Sequence, residues 1–318
     1  MPRARVRSPR VALATWAGLP NLGPDDRRLA DALTALGAEA VPCVWNDPRV
    51  AWGDFDLVVV RSTWDYHRHL RAFLAWTRRV ARSTRLCNDV ATIGWNARKT
   101  NQRALEREGL PIIPTRWIGR VGELTGLPKD GTWRRVVLKP VVGASAEGAV
   151  VFEKADQEGA RAHFRRLRRH GLVMAQPYLE TVEHRGERSL VFLDGRFSHA
   201  VLRKASLATR GGPRDGAPVR VSDAELRLAR RVVRHLPRRP LYARVDMVDR
   251  LPDGAPALME VELIEPLLYL ARSPDAAGVL ARAIVRSARA GRSSASRPSR
   301  RFAPDVPRRS ITPRRPRP

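Results

Sequence analysis

YARVDMVDRLPDGAPALMEVELIE, residues 242–265, is the stretch on which the fold turns. Two β-rich runs flank Pro-Asp-Gly, a turn sequence, so the second run is expected to fold back beside the first. Alternation along a strand puts Glu260 and Glu262 on one face and Met259, Val261 and Leu263 on the other. The turn brings Asp246 across from the two glutamates. Three carboxylates so close repel one another unless protons or a cation compensate, and an oxygen-only donor set selects Mg²⁺ or Mn²⁺. An outward-facing acidic edge is the competing reading, and the apolar residues interleaved with the acids argue against it.

A second stretch, VVLKPVVGASAEGAVVF at 136–152, reads as a hairpin whose first strand ends in Lys139. Small residues after the lysine let the backbone approach a ligand, and successive amides there make an anion-binding concavity. A Walker-type loop would open a helix with Gly-Lys-Ser/Thr, whereas this loop leads into a strand. It fits a flap over phosphates. Turn chemistry alone would also account for the small residues.

Outward from these stretches, the first ninety residues alternate strand and helix. VALATW, AEAVPCVW and DLVVVRSTW are strand candidates; a helix opens at Gly-Pro-Asp-Asp and another covers about 68–82. That alternation implies a doubly wound parallel sheet, with ligands beyond the carboxyl ends of the strands near Thr15, Trp16 and Arg61–Tyr66. No G-x-G-x-x-G follows the first strand, so the domain is expected to be a substrate platform rather than a dinucleotide site. From residue 93 a helix over NARKTNQRALEREG gives way to mostly antiparallel strands, an α+β pattern.

The 318 residues can bury a large core, and no run of about 18 apolar residues suggests a membrane span. The N-terminus lacks the features of a secretory signal, so a cytoplasmic location is expected. Cys43 and Cys87 show no metal or disulfide spacing. A net charge of +27 would favour nucleic acid, but from Arg286 onward eleven arginines face one acid, Asp305, in a Pro/Ser/Arg tail with too little apolar content to fold. Elsewhere the arginines fall mostly on helix faces, where solvation suffices, so nucleic acid is not favoured as a partner. Only five residues are lysine (99, 129, 139, 154 and 204), which marks each as a place where a compact ammonium is wanted.

Taken together, VVLKPVVGASAEGAVVF, VMAQPYLETVEHRGERSLVFLDG, and ARVDMV with MEVELIEP resemble the ATP-grasp superfamily, and within it the glutathione-synthetase-like carboxylate–amine ligases. The WDY turn, the run Trp95–Lys99 and Gly-Glu-Arg-Ser are more similar to the subgroup that contains the ligase cyclising O-ureido-serine. The resemblance covers about residues 5–285. It implies a pre-ATP-grasp α/β domain over 1–92, an ATP-grasp domain over 93–285 with a lid at about 105–175, and a disordered basic tail over 286–318. It also implies that Lys99 and Lys139 contact phosphates and that the loop Gly143–Gly148, with Ser145, covers the triphosphate. The backbone around Gln176, Pro177, Tyr178 and Leu179 would bind adenine, and Glu187 the ribose. Asp246, Glu260 and Glu262 would hold two Mg²⁺ ions, with Mn²⁺ as an alternative. Lys204 would face the γ-phosphate, and Arg244 is a candidate anion contact; these two are the catalytic candidates. The loop is poorer in glycine than its counterparts, because Ala144, Ala146 and Glu147 intrude. Glu262 stands where asparagine is common, and Ser189 where glutathione synthetases carry arginine.

The implied activity is ATP- and Mg²⁺-dependent ligation of a small amino-acid-like carboxylate to an amine or related nitrogen. The alternative is a protein that binds nucleic acid or acidic surfaces through its tail and retains an idle ATP-grasp fold. A third reading adds amino acids to a polypeptide terminus.

Overall fold

The computed structural model describes residues 7–127, 133–153, 155–204, 216–250 and 253–295. Strands β1 (Arg10–Thr15), β2 (Glu39–Val44), β3 (Leu57–Ser62) and β4 (Leu86–Cys87) form a parallel sheet in the order β2-β1-β3-β4. Their sequences are near-continuous apolar runs because both faces are covered, as in doubly wound sheets generally. Val11, Leu13, Leu57 and Val59 pack on helix α1 (Pro24–Ala35), whereas Ala12, Ala14, Val58 and Val60 pack on α2 (Leu70–Ser83) through Phe73, Trp76 and Val80. Proline at its first turn, followed by Asp25 and Asp26, starts α1 where the Gly-Pro-Asp-Asp signal places it.

The helix expected over residues 96–109 is interrupted. It divides into α3 (Val90–Asn96), a 3₁₀ turn at Lys99–Asn101 and α4 (Gln102–Arg107), because Arg98 is extended, with φ −133° and ψ 131°. The interruption lets the Lys99 amide donate to the Val141 carbonyl at 2.8 Å, which attaches this segment to the phosphate-loop hairpin.

Next come β5 (Arg116–Ile118), β6 (Arg135–Pro140), β7 (Val150–Glu153), α5 (Gln157–Arg168) and β8 (Val173–Pro177). The four strands form an antiparallel sheet in the order β5-β8-β6-β7, backed by Phe164 and Leu167 of α5. After α6 (Thr181–Arg185), strands β9 (Glu187–Leu193), β10 (Arg196–Arg203), β11 (Gly216–Pro218), β12 (Tyr242–Asp249) and β13 (Pro256–Glu262) build a second antiparallel sheet, ordered β11-β10-β9-β12-β13. Helix α7 (Asp223–Arg234) starts with a Ser222–Glu225 capping box and covers one face with Leu228 and Val232. The opposite face looks toward the β5–β8 sheet.

The last helix, α8 (Ala276–Ala295), returns to the first sheet. Leu280, Ile284 and Ala288 recur at helical spacing and are fully buried against the β1 and β3 face. The helix runs past the boundary expected at Arg286 to Ala295, and Ala288 extends its apolar stripe while Arg286, Arg289 and Ala290 are exposed. The remainder of the expected tail, 296–318, lies outside the described residues, as does most of the irregular segment after Lys204. Among the described residues, no helix is long and apolar enough to cross a membrane.

Candidate active site

The two antiparallel sheets face one another across a cavity of about 170 Å³, with Trp64 and Tyr66 from beyond β3 completing its wall. On the floor, β12 and β13 pair so that Asp246 opposes Glu260 and Arg244 opposes Glu262. β12 also pairs with β9, where Asp246 opposes Ser189, and Arg203 of β10 opposes Glu187. Directly opposed residues share a face, which gathers these side chains on one wall.

Asp246 is the hub of that wall. Its carboxylate accepts from Arg244 Nε at 2.9 Å, Arg203 Nη2 at 2.9 Å and Ser189 Oγ at 2.6 Å. Arg203 also donates to Glu187 at 2.8 Å, and Arg244 is ion-paired with Glu262. Burial would raise the Asp246 pKa, but Arg244 and Arg203 outweigh it and hold the carboxyl at about 2. Glu262 shifts upward: burial dominates, Arg244 opposes it, and Asp246 and Glu260 add repulsion. Glu265 is pushed well above the usual range by burial and by Glu262.

The opposite wall carries the lysines. Burial, then the neighbouring Lys99 ammonium, lower the Lys139 pKa to about 8. For Lys99, burial pulls down while its ion pair with Glu260 wins and raises the value. Above them runs the loop Gly143–Ala149. Ser145 and Ala146 both take left-handed φ of 58°, and Gly148 has φ 76°. A Cβ at Gly148 would also lie 3.3 Å from Leu167 and Pro140, so the turn into β7 needs glycine there. Glu147, the acid that intrudes into the loop, reaches the first domain: it lies 2.9 Å from His67 Nε2 and 3.0 Å from Arg68 Nη2.

The cavity's other end is apolar, bordered by Ile113, Val182 and Met259. Here the expected adenine contacts line up: Gln176, Pro177, Tyr178 and Leu179 all border it. Gln176 spends its side-chain amide on Thr115 Oγ1 at 2.8 Å, and the Tyr178 amide donates to Arg135 O at 2.9 Å.

Most of the residues singled out in the sequence thus meet around one cavity, and Lys204 does not. It is exposed just past the end of β10 and absent from the wall, where Arg203 stands instead. A bulge between Phe197 and His199 is responsible. An uninterrupted hairpin from the Asp194–Gly195 turn would put residues 202 and 204 on the Glu187 face; one extra residue reverses the parity and turns 201 and 203 inward. The metal expectation is also altered. Among the described residues no three acids or histidines converge as a ready ligand set. Asp246, Glu260 and Glu262 share the wall, but each is closed by an arginine or lysine of the chain itself.

Sequence reasoning also missed Glu265, Tyr269 and Asn96. Asn96 donates to Val261 O at 2.7 Å and accepts from Leu263 N at 2.8 Å, fixing the Lys99 segment to the end of β13. Its place in the Trp95–Lys99 run was the available signal. Arg61, expected near the cavity mouth, is instead fully buried on Asp26 at 2.8 Å.

Comparison with known proteins bears on the family and the fold. Residues 11–88 match the family model described as D-cycloserine synthetase DcsG, N-terminal domain. The cycloserine biosynthesis protein DcsG of Streptomyces lavendulae is 33% identical over 291 residues, which span 86% of this chain and 97% of that protein. The chain belongs to the DcsG family of ATP-grasp ligases. The crystal structure of D-cycloserine synthetase DcsG superposes with a TM-score of 0.80 at 30% identity, covering 88% of this chain and 99% of that one. A RimK-domain ATP-grasp protein from Sphaerobacter thermophilus DSM 20745 (TM-score 0.67, 19% identity, 86% and 99% covered) shares the fold. So does the D-alanine–D-alanine ligase of Bacillus anthracis complexed with ATP (0.61, 15%, 90% and 100%). For a DcsG-family chain, the mixed architecture of one parallel and two antiparallel sheets is the ATP-grasp arrangement.

Proposed function

We propose that this chain uses ATP and Mg²⁺ to activate the carboxylate of a small amino-acid-like substrate as an acyl phosphate, which an amine or related nitrogen then attacks. The observation that carries this reading is the opposition, within one cavity, of an acidic wall to two lysines beneath a loop of left-handed turns. Lys99, Lys139 and the amides of Gly143–Gly148 supply positive charge and donors suited to a polyphosphate. The apolar end beside Gln176–Leu179 suits a base, and Glu187 suits ribose hydroxyls.

The donor chemistry fits a hard cation. Glu262 is raised by burial with Asp246 and Glu260 beside it, and Glu265 by burial with Glu262 beside it, an excess of acid that a divalent ion would relieve. Asp246, Glu260 and Glu262 would hold Mg²⁺, which would supply positive charge to the transferring phosphoryl group. Lys99 and Arg244 would then exchange their carboxylate partners for phosphate oxygens, so charge is conserved across the site.

In the first step a carboxylate oxygen of the acid forms a bond to the γ-phosphorus, the bond from that phosphorus to the bridging oxygen breaks, and ADP leaves with the electron pair. In the second the nitrogen lone pair attacks the carbonyl carbon, the bond to the phosphate oxygen breaks, and phosphate leaves as the nitrogen loses a proton. Arg203 and Arg244, fixed by Asp246, face the charge that builds on the acyl group.

The test is ADP formation with ATP, Mg²⁺ and a panel of amino acids, ureido-amino acids including O-ureido-serine, and dipeptides. Acid-dependent ADP release is expected from at least one small member. Silence across the panel, or a product formed only on polypeptides, defeats the proposal.

A further inference from the structure

We infer that Tyr269 is a substrate-contacting residue, its phenol donating a hydrogen bond to the carboxylate oxygen that becomes the acyl carbonyl, with Asp25 as the residue that positions it. This rests on the ligase reading above. Tyr269 borders the cavity and is 8% exposed, yet its hydroxyl finds no partner among the described residues. Buried tyrosine hydroxyls are ordinarily paired, so an orphan at a cavity wall is a donor awaiting a ligand acceptor. Arg203, Arg244, Asp246 and Glu262 line the same cavity as Tyr269.

The backbone supports the same conclusion. Tyr269 is left-handed, with φ 51° and ψ 42°, an arrangement that costs a bulky side chain roughly 1–3 kcal/mol and persists only where neighbours enforce it. The enforcement comes from the first domain. Asp25 accepts from Leu268 N at 2.9 Å and from Leu270 N at 2.6 Å, bracketing Tyr269 with both carboxylate oxygens. His199 adds a contact to Leu268 O at 3.0 Å, and Arg244 Nη1 donates to Leu267 O at 3.3 Å. The ring rests against Gly216, where a Cβ would lie 3.2 Å from its edge. Four elements therefore converge to hold one aromatic side chain in a strained pose, and the only polar atom that pose delivers is the hydroxyl.

The chemistry asks for such a donor. Arginines attract a carboxylate without distinguishing its two oxygens, whereas a fixed neutral donor on one of them leaves the other free to meet the γ-phosphorus. The same donor then serves the oxyanion formed when nitrogen attacks.

Tyr269→Phe removes only the oxygen. With the acid identified by the panel, kcat/KM for that acid is expected to fall about 10- to 100-fold, while the affinity for a non-hydrolysable ATP analogue with Mg²⁺ and the melting temperature stay at wild-type values. Asp25→Asn, which keeps one acceptor, should produce a smaller loss of the same kind. In the double variant the Asp25→Asn effect on kcat/KM should largely vanish, because it acts through a hydroxyl already removed; additive losses would show that Asp25 merely stabilises the fold. An active wild type with an equally active Tyr269→Phe overturns the inference alone. A wild type silent with every acid overturns the ligase reading and this inference with it.

Discussion

Two buried arginine–aspartate pairs lie on either side of the junction between the first sheet and the cavity, and only one of them borders the cavity. Arg61 and Asp26 meet at 2.8 Å; Arg61 also donates to Pro266 O at 3.0 Å and stacks on the Tyr242 ring at 4.8 Å, with Ser62 closing the aspartate. Arg244 and Asp246 meet at 2.9 Å with equally little exposure, but they border a cavity. Burial and pairing alone therefore do not mark function. The mark is an open side: at Asp246 the network continues into Arg203, Glu187 and Glu262 around space that a ligand can enter, whereas at Asp26 it ends in backbone.

The sharpest way to break this comparison is to remove the same charge at both places. Asp246→Asn should abolish ATP-dependent turnover, by at least about 10³-fold, since Arg203 and Arg244 lose the group that aims them. Asp26→Asn should instead cost about 3 kcal/mol in urea unfolding, because it leaves Arg61 uncompensated in the core, while turnover per folded molecule is retained. Equal effects on turnover would mean that the two pairs belong to one functional network.

This contrast also shows what the sequence could reveal. The strands were legible because β1 and β3 are apolar runs with clear turns, and Pro-Asp-Gly announced the return that brings Asp246 across from the glutamates; the register itself was not, because a bulge beside Asp246 pairs it with Glu260 where an unbroken hairpin would oppose it to Met259. Partner choice was not legible. Nothing in the spacing says that Asp26 takes Arg61 while Asp246 takes Arg244 and Arg203, since each pairing spans separate elements. Lys204 was misplaced for a related reason: strand parity fails at one bulge, and a bulge has no fixed residue signature. The end of α8 was hidden because Arg286–Ala295 has the composition of a tail, and only its packing shows that Ala288 extends the buried stripe of Leu280 and Ile284.

The next effect concerns Lys139, which lies across the cavity from the acids. Lys139→Ala should weaken nucleotide binding about 100-fold, the loss of a charge-assisted contact. The wild type adds a signature of its own. With its pKa near 8, Lys139 is a cation below that pH, and an anionic nucleotide raises the value in the complex. Binding should therefore take up protons between pH 8 and the raised pKa, and affinity should fall as pH rises through that window. Calorimetry in two buffers of different ionisation enthalpy measures the uptake; in Lys139→Ala it should disappear.

A further variant tests how firmly the two regions are joined. Asn88, buried after β4, donates to Tyr242 O at 3.0 Å and Leu263 O at 2.8 Å and accepts from Leu241 N at 2.8 Å. Asn88→Ala leaves three backbone groups unpaired between the sheets and should cost about 2–3 kcal/mol in urea unfolding. If the loss appears as one cooperative transition, the regions fold as a unit; two separated transitions would show that Asn88 links bodies able to stand alone.

The smallest effect belongs to the contact between the phosphate loop and the first domain. Glu147 meets His67 and Arg68 with half of its side chain exposed, so the ion pairs contribute no more than about 0.2–1 kcal/mol and are screened by salt. Glu147→Gln should raise the KM for ATP about two- to fivefold at low salt, with kcat little changed. The difference should shrink at high ionic strength, where the wild type loses the same attraction. Because Glu147 hangs from a loop whose left-handed residues already fix its course, this contact is expected to tune how firmly the loop is held to His67 and Arg68 without building the cavity. A large, salt-independent loss in Glu147→Gln would instead make the glutamate part of the site and remove the distinction between a wall that binds and a domain that only holds it in place.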